Sequence, residues 1–371
     1  MFLLILDGAE EDAPLINEYS PPAGACMPRL STLVTHGTSG FAKFFLTGRE
    51  ADRLTCILSM LGVPADDIPP TRAPIEALGA GIELQPGDTV CRCNLISIKD
   101  GRLASFNGGA LSRGQMQSFA AEASRLAPDG LCLFHLSDYR NLLVSGDEPT
   151  VLPPDAPPPH ECVGMPIKQL LAGIKYDSRL SQFIGRSGRI LPGYLLYPWG
   201  VSRTAALPTY KSLTGRTAAC VCGAEVMAGI GKALGMTVFV PPGATGDADS
   251  DLRAKADAAL RLSGNYDTVV VHINGADELA HRHDLQGKKH FLERVDKDMI
   301  GRMLDGLERD ARFLVTSDHV TSCETGRHKK LPVQWVCADF NARERLLTPL
   351  RAGESLDGRR LFEQLSGKGM G

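Results

Sequence analysis

The chain has 371 residues, is 43% hydrophobic and 22% charged, and carries a formal net charge of −3. Such a composition is that of a globular protein long enough for two domains, and it excludes disordered and fibrous classes. So small a net charge gives no general attraction to nucleic acid or to anionic membranes, so an anionic substrate must be held by local groups.

The chain opens on Phe2–Leu6, an apolar run that stops at Asp7 and has no basic segment before it. It reads as a buried strand and not as a signal peptide, and no run reaches the roughly 18–20 apolar residues a bilayer span requires. A cytoplasmic protein with reduced thiols is expected. Cys56 and Cys132 lie in apolar runs, and the one-residue gaps of Cys91/Cys93 and Cys220/Cys222 do not suit a structural zinc site. Further along, Thr89–Lys99 followed by Gly101 signals a strand pair, Gln115–Leu126 a helix and Leu131–Leu136 a strand. The proline-rich stretch 153–160 cannot form regular structure. Helices are predicted at Gly223–Leu234, Leu252–Leu262 and Lys288–Leu307, and strands at Thr237–Val240, Thr268–Ile273 and Arg312–Thr316. In Lys288–Leu307, Phe291, Val295, Met299, Ile300 and Met303 keep the spacing of one helix face. Nearly all-apolar strands alternating with amphipathic helices predict an α/β fold around a mainly parallel sheet covered on both faces.

The chemistry gathers at strand ends. Phe2–Leu6 runs into Asp7-Gly8, and Thr268–Ile273 leads to Asp277 and His281. Arg312–Thr316 is followed by Asp318-His319, with His328 nine residues on. Ligands of open parallel sheets bind beyond the carboxyl ends of the strands, and one helical turn puts Asp277 and His281 on one face. Carboxylates and imidazoles suit a divalent ion, and paired ions could clamp a phosphoryl group. An aspartate at a strand end also serves as a turn or helix cap, which is the structural alternative.

Several strings, in this order, resemble the archaeal-type cofactor-independent phosphoglycerate mutases of the alkaline phosphatase superfamily. They are Leu6-Asp7-Gly8, Arg72-Ala-Pro-Ile-Glu76, Cys91-Arg92-Cys93-Asn94, Tyr139-Arg140-Asn141, Pro159-His160, Pro198-Trp199-Gly200 and Pro242-Gly-Ala-Thr-Gly246, followed by the Asp277/His281, Asp318-His319 and His328 positions. The resemblance implies an alkaline-phosphatase-like core at 1–71 and 191–371, with a smaller α/β cap inserted at 72–190. It implies two divalent ions, manganese or zinc with magnesium less well suited, one held by Asp7, Asp318 and His319 and the other by Asp277, His281 and His328. Arg72, Arg140 and His160 would face a substrate's phosphate or carboxylate, although Arg140 could instead pair within the cap.

The resemblance breaks at the nucleophile, a serine at the start of a helix in that family. The tail of its string survives as Leu58-Ser59-Met60-Leu61-Gly62, but the serine position falls on Arg53, or on Arg49 if Gly48 takes the family glycine. Either arginine could bind a substrate anion instead. Thr47, in Thr47-Gly-Arg-Glu50, has the form of a capping box and is the candidate replacement hydroxyl, or merely a helix cap. Asn141 also stands where the family has histidine, and it cannot shuttle a proton. Three readings follow, all with a small phosphorylated or phosphonate metabolite as ligand and neither nucleic acid nor membrane as partner. The first is a mutase of phosphoglycerates or a close phosphorylated hydroxy acid. The second is a metal-dependent hydrolase of a phosphoester, phosphodiester or phosphonate ester. The third is a catalytically silent binding homologue.

Overall fold

A computed structural model of the chain describes residues 1–12, 20–146, 152, 156–172, 178–203, 206–307, 311–339 and 355–357. The chain divides into two compact units, Met1–Ile68 with Leu207–Gly371, and Pro69–Ala206.

The first unit is built on an eight-stranded sheet in the order Ser355–Asp357, Thr38–Lys43, Val333–Asp339, Arg312–Thr316, Phe2–Leu6, Thr268–Ile273, Ala218–Val221, Thr237–Phe239. The five strands from Arg312–Thr316 to Thr237–Phe239 are mutually parallel, and Val333–Asp339 runs antiparallel to both its neighbours. Phe2–Leu6 and Thr268–Ile273 are buried at every position, as expected of central strands with helices on both faces. Phe2 stacks on Phe313 at 5.0 Å. Leu4, Val271, Phe291 and Met299 join them in one core cluster, each fully buried side chain contributing roughly 1.5–3 kcal/mol. The expected α/β class with a mainly parallel sheet is observed.

The register positions the site. Leu6 pairs with Ile273 and Ile5 with Thr316, so three parallel strands end level with one another, and the residues after them emerge on one edge. The helix expected over Lys288–Leu307 is instead an α-helix Leu285–Arg294, a π-helical turn Val295–Gly301 and a short helix Arg302–Asp305. The π turn carries Asp296, whose carboxylate accepts from Arg29 N at 3.0 Å and Leu30 N at 2.8 Å. It thereby caps Pro28–His36, a helix whose own N-cap residue Met27 supplies no side-chain acceptor.

The second unit is antiparallel. Thr89–Lys99 pairs with Arg102–Ser105, Arg140–Ser145 and Tyr194–Arg203, and Arg140–Ser145 pairs with Leu131–Ser137. The expected boundary at 191 is therefore corrected. Tyr194–Arg203 pairs with Thr89–Lys99 and belongs to the inserted unit, because its strand-pairing hydrogen bonds are satisfied there. Of the proline-rich stretch, residues 153–155 lie outside the described residues, and Pro159–Glu161 forms a single 3-10 turn. None of the ten cysteines is in a disulfide. Cys132, though it lies in an apolar run, is exposed, because the alternation of Leu131–Ser137 turns it away from the core.

Candidate functional site

Asp7, Asp277, Asp318 and His319 are buried to within 2% at the strand ends. Three local features set them there. Gly8 takes φ +61°, and a Cβ on it would lie 2.6 Å from both Asp277 Oδ1 and Thr321 Oγ1, so the turn after Asp7 needs glycine on both counts. The amide of Gly8 donates to Asp318 Oδ1 at 3.2 Å and that of His319 to the same atom at 3.0 Å, leaving Oδ2 turned inward. The helix Gly275–His281 begins just after Thr268–Ile273, placing Asp277 and His281 one turn apart.

The histidine tautomers follow from their outer partners. Nδ1 of His281 lies 2.8 Å from Gly326 O, and Nδ1 of His328 lies 2.9 Å from Ala51 O. A carbonyl only accepts, so both Nδ1 atoms carry a proton and the Nε2 atoms are the ones turned to the carboxylates. Those two Nε2 atoms face each other at 3.2 Å, and Asp277 lies 3.3 Å from His281 and 3.4 Å from His328. Nδ1 of His319 sits 3.0 Å from the Thr321 hydroxyl, which itself donates to Asp277 Oδ1 at 2.7 Å. His319 Nε2 is thereby left 3.5 Å from Asp7 Oδ1 and 3.3 Å from Asp318 Oδ2.

Asp7 Oδ1, Asp318 Oδ2 and His319 Nε2 are buried atoms without a hydrogen-bond partner. A divalent cation would satisfy all three together. Donor atoms of Asp277, His281 and His328 fall within 4.8 Å of one another, as do those of Asp7, Asp277 and His319. The residues present therefore fit divalent ions. Electrostatics agree: burial and the neighbouring Asp7 carboxylate push Asp318 well above the usual carboxylate range. Burial, with His328 adding to it, holds His319 down at about 3, a neutral ligand. The hydrogen bond to Asp277 raises His281 to about 9, so its Nε2 holds a proton that a divalent ion would have to displace.

Arg53 enters this cluster. It is the first residue of the helix Arg53–Met60, capped by Asp52, whose carboxylate accepts from Thr55 N at 3.1 Å and Thr55 Oγ1 at 2.8 Å. Its guanidinium forms an ion pair with Asp7 Oδ2 and another, at 2.6 Å, with Asp277 Oδ2. Burial opposes its charge, but the three aspartates outweigh burial and raise its pKa. The capping box expected at Thr47 is not formed. Thr47 is exposed in a turn, and the helix starts six residues later because Asp52 is the better-placed acceptor. Arg49 donates to Ile68 O at 2.9 Å.

Two supporting residues had no role assigned from sequence. His272 lies within the strand Thr268–Ile273 and is wholly buried, with Nε2 2.9 Å from Asp7 Oδ2. Its signal was a histidine inside an otherwise apolar strand. Thr321 had no signal, since its value lies in touching His319 and Asp277 at once.

In the second unit Arg72 and Arg92 grip one carboxylate, Glu76, at 2.8 and 3.1 Å, and Arg92 lies 4.4 Å over the Trp199 ring. Burial and the adjacent Arg72 lower Arg92 to about 10. His160 meets Phe106 and Trp199 edge-on, each at 6.0 Å, and burial lowers its pKa, with Arg92 and Arg72 acting in the same direction against Glu161. Arg140 donates to Ser137 Oγ at 2.6 Å. Asn141 is committed to structure: it bonds His135 Nδ1 at 2.8 Å and donates to Cys93 O and Tyr139 O.

A mainly parallel α/β sheet with carboxylates and imidazoles converging at its strand ends defines a metal-dependent enzyme. The sequence profile of the Metalloenzyme superfamily matches residues 1–358, and the chain belongs to that superfamily. Among its relatives, the 2,3-bisphosphoglycerate-independent phosphoglycerate mutase of Methanopyrus kandleri is 28% identical, covering 90% of this chain and 86% of the relative. That of Ignicoccus hospitalis is 29% identical, with 90% and 87% covered. Two solved structures share the fold. One, from Pyrococcus horikoshii, has a TM-score of 0.76 at 23% identity over 100% of this chain and 98% of its own. The other, a cofactor-independent phosphoglycerate mutase from Thermoplasma acidophilum, has a TM-score of 0.62 at 21% identity over 98% and 97%.

Proposed function

We propose that the chain is a two-ion phosphoryl-transfer enzyme acting on a small phosphorylated or phosphonate metabolite, and that it moves the phosphoryl group directly to water or another hydroxyl acceptor. Asp7, Asp318 and His319 would hold one divalent ion, and Asp277, His281 and His328 the other, manganese or zinc being the best-suited metals. Bound there, the ions would neutralise charge on phosphoryl oxygens.

The observation that carries the direct route is Arg53. The helix start at which the resemblance implies a serine nucleophile presents a guanidinium paired with Asp7 and Asp277. The nearby hydroxyl of Thr55 is engaged by Asp52, and Thr47 is exposed in a turn. A guanidinium cannot accept a phosphoryl group in a covalent intermediate, but it can hold a phosphoryl oxygen. Within the second unit, Arg72 and Arg92 around Glu76, with Arg140 and His160, form groups suited to an anion such as a phosphate or carboxylate. The preserved donor set argues against a silent homologue, since such a cluster of buried carboxylates is costly without a bound cation.

Phosphoglycerate interconversion is the second reading, supported by the names of the relatives. A phosphorus-NMR time course of metal-loaded protein with 3-phosphoglycerate tests both. Free phosphate supports direct transfer to water. Appearance of 2-phosphoglycerate, lost in Thr47→Ala, would replace that reading with a mutase using a relocated hydroxyl. An unchanged spectrum with metal bound excludes phosphoglycerate as substrate, and a panel of phosphoesters and phosphonate esters follows.

A further inference from the structure

We infer that Arg53 is a resident cation of this centre, leaving the Asp7–Asp318–His319 place strong for a divalent ion and keeping the Asp277–His281–His328 place weak. This inference rests on the metal-binding reading above.

The two places differ in what their carboxylates already do. In the first, Asp7 Oδ1, Asp318 Oδ2 and His319 Nε2 have no partner. Asp7 spends only Oδ2, on Arg53 and His272, and Asp318 spends only Oδ1, on the amides of Gly8 and His319. In the second place the sole carboxylate is engaged at both oxygens. Asp277 Oδ2 pairs with Arg53 at 2.6 Å, and Oδ1 receives the Thr321 hydroxyl at 2.7 Å. Arg53 pairs with Asp7 as well, but in the first place an ion can use the free Asp7 Oδ1 and also Asp318, a carboxylate that Arg53 does not pair with. An ion entering the second place must share its one carboxylate with the guanidinium.

The charge balance points the same way. With the ligand groups deprotonated, as metal binding requires, Asp7, Asp277 and Asp318 supply three negative charges and Arg53 one positive charge, and all three carboxylates are buried. The remaining two charges are matched by one divalent ion. A second ion would leave an excess of positive charge around the buried carboxylate of Asp277. A substrate dianion would supply the missing balance, so the second ion should enter with the substrate or after Arg53 turns from Asp277 to a phosphoryl oxygen. Arg53 would thus couple ion occupancy to anion binding, a role that a neutral side chain at the head of this helix could not fill.

The test is calorimetric titration of metal-free, folded protein with Mn²⁺, read together with the manganese paramagnetic resonance spectrum. Wild type should take up one ion tightly and a second at least about tenfold more weakly. Arg53→Ala should bind two ions tightly and show the spectrum of a spin-coupled manganese pair, whereas Arg53→Lys should behave as wild type. Two ions of like affinity in wild type would overturn the inference while leaving the metal centre intact, and that result needs no variant to fold. Two ions unequal in both wild type and Arg53→Ala would overturn it as well. Failure of folded wild type to take up any Mn²⁺ would overturn the metal centre, and the inference with it.

Discussion

The hydroxyl of Thr321 donates to Asp277 Oδ1 at 2.7 Å while sitting 3.0 Å from Nδ1 of His319. One side chain therefore orients a donor from each proposed ion place. Thr321→Val keeps the shape but removes the hydroxyl, and outer partners of this kind contribute about 10–100-fold to metal affinity. Titration calorimetry should show a loss in that range, and Thr321→Ser should recover most of it. An unchanged affinity in the valine variant would mean that the hydroxyl merely packs.

Gly8 makes a sharper prediction. A Cβ at this position would press on Asp277 and Thr321 at 2.6 Å, in a backbone conformation that L-residues rarely adopt. Gly8→Ala should lose metal binding by more than tenfold, roughly as for an outer-shell deletion or worse, with the rest of the sheet intact by circular dichroism. Wild-type affinity in this variant would contradict the described turn.

Lys288 is wholly buried, donating to Glu10 O at 3.0 Å, Thr321 O at 2.9 Å and Glu11 Oε1 at 2.6 Å. It ties the loop after Asp7 to the segment bearing Thr321. Lys288→Met leaves the partly buried Glu11 carboxylate and two carbonyls without it, a loss of about 3–5 kcal/mol for a broken buried pair. Urea denaturation measures it. A loss below about 1 kcal/mol would place the pair among weak surface bridges.

Glu10 gives a pH dependence. Burial raises its carboxyl to about 7, against the opposing hydrogen bond from Gln334. A raised folded-state pKa favours folding of the protonated form. The contribution is full below the ordinary value of 4.5 and is lost as pH rises through about 7. Glu10→Gln stays neutral throughout. It should match wild type near pH 4 and exceed it by about 1–3 kcal/mol near pH 8. Melting curves at both pH values check this, and a constant difference would reject it.

Metal removal should destabilise the first unit, since Asp7, Asp277 and Asp318 are then left buried close together, with Arg53 paired to only two of them. An ion present at about one hundred times its Kd stabilises by about 2.7 kcal/mol, so chelation should lower Tm by several degrees. Re-addition of Mn²⁺ should restore it. A Tm indifferent to chelator would argue that no ion binds the folded chain.

The sequence by itself determined the chemistry of the strand ends. Apolar runs that stop at aspartate, followed by histidine at short spacing, follow from local pattern. Those residues also carried the resemblance, because strand, turn and donor lie within a few positions of one another. Asp7-Gly8 and Asp318-His319 are local in this sense, and the metal-ligand candidates were legible for that reason. The α/β class was legible as well, since burial on both sheet faces writes nearly all-apolar strands into the chain.

What only the tertiary structure decided depends on residues far apart. Which acceptor caps the helix before Arg53 is a contest between Thr47 and Asp52 that geometry settles for Asp52. The strand Tyr194–Arg203 could be assigned to its unit only by its partner, Thr89–Lys99, about a hundred residues earlier. Thr321 bridges Asp277 across 44 positions, and Arg53 reaches Asp277 across 224. No periodicity encodes such contacts, because a side chain's charge partner is set by where the strands end in space. The sequence named the donors, and the fold decided that an arginine stands among them.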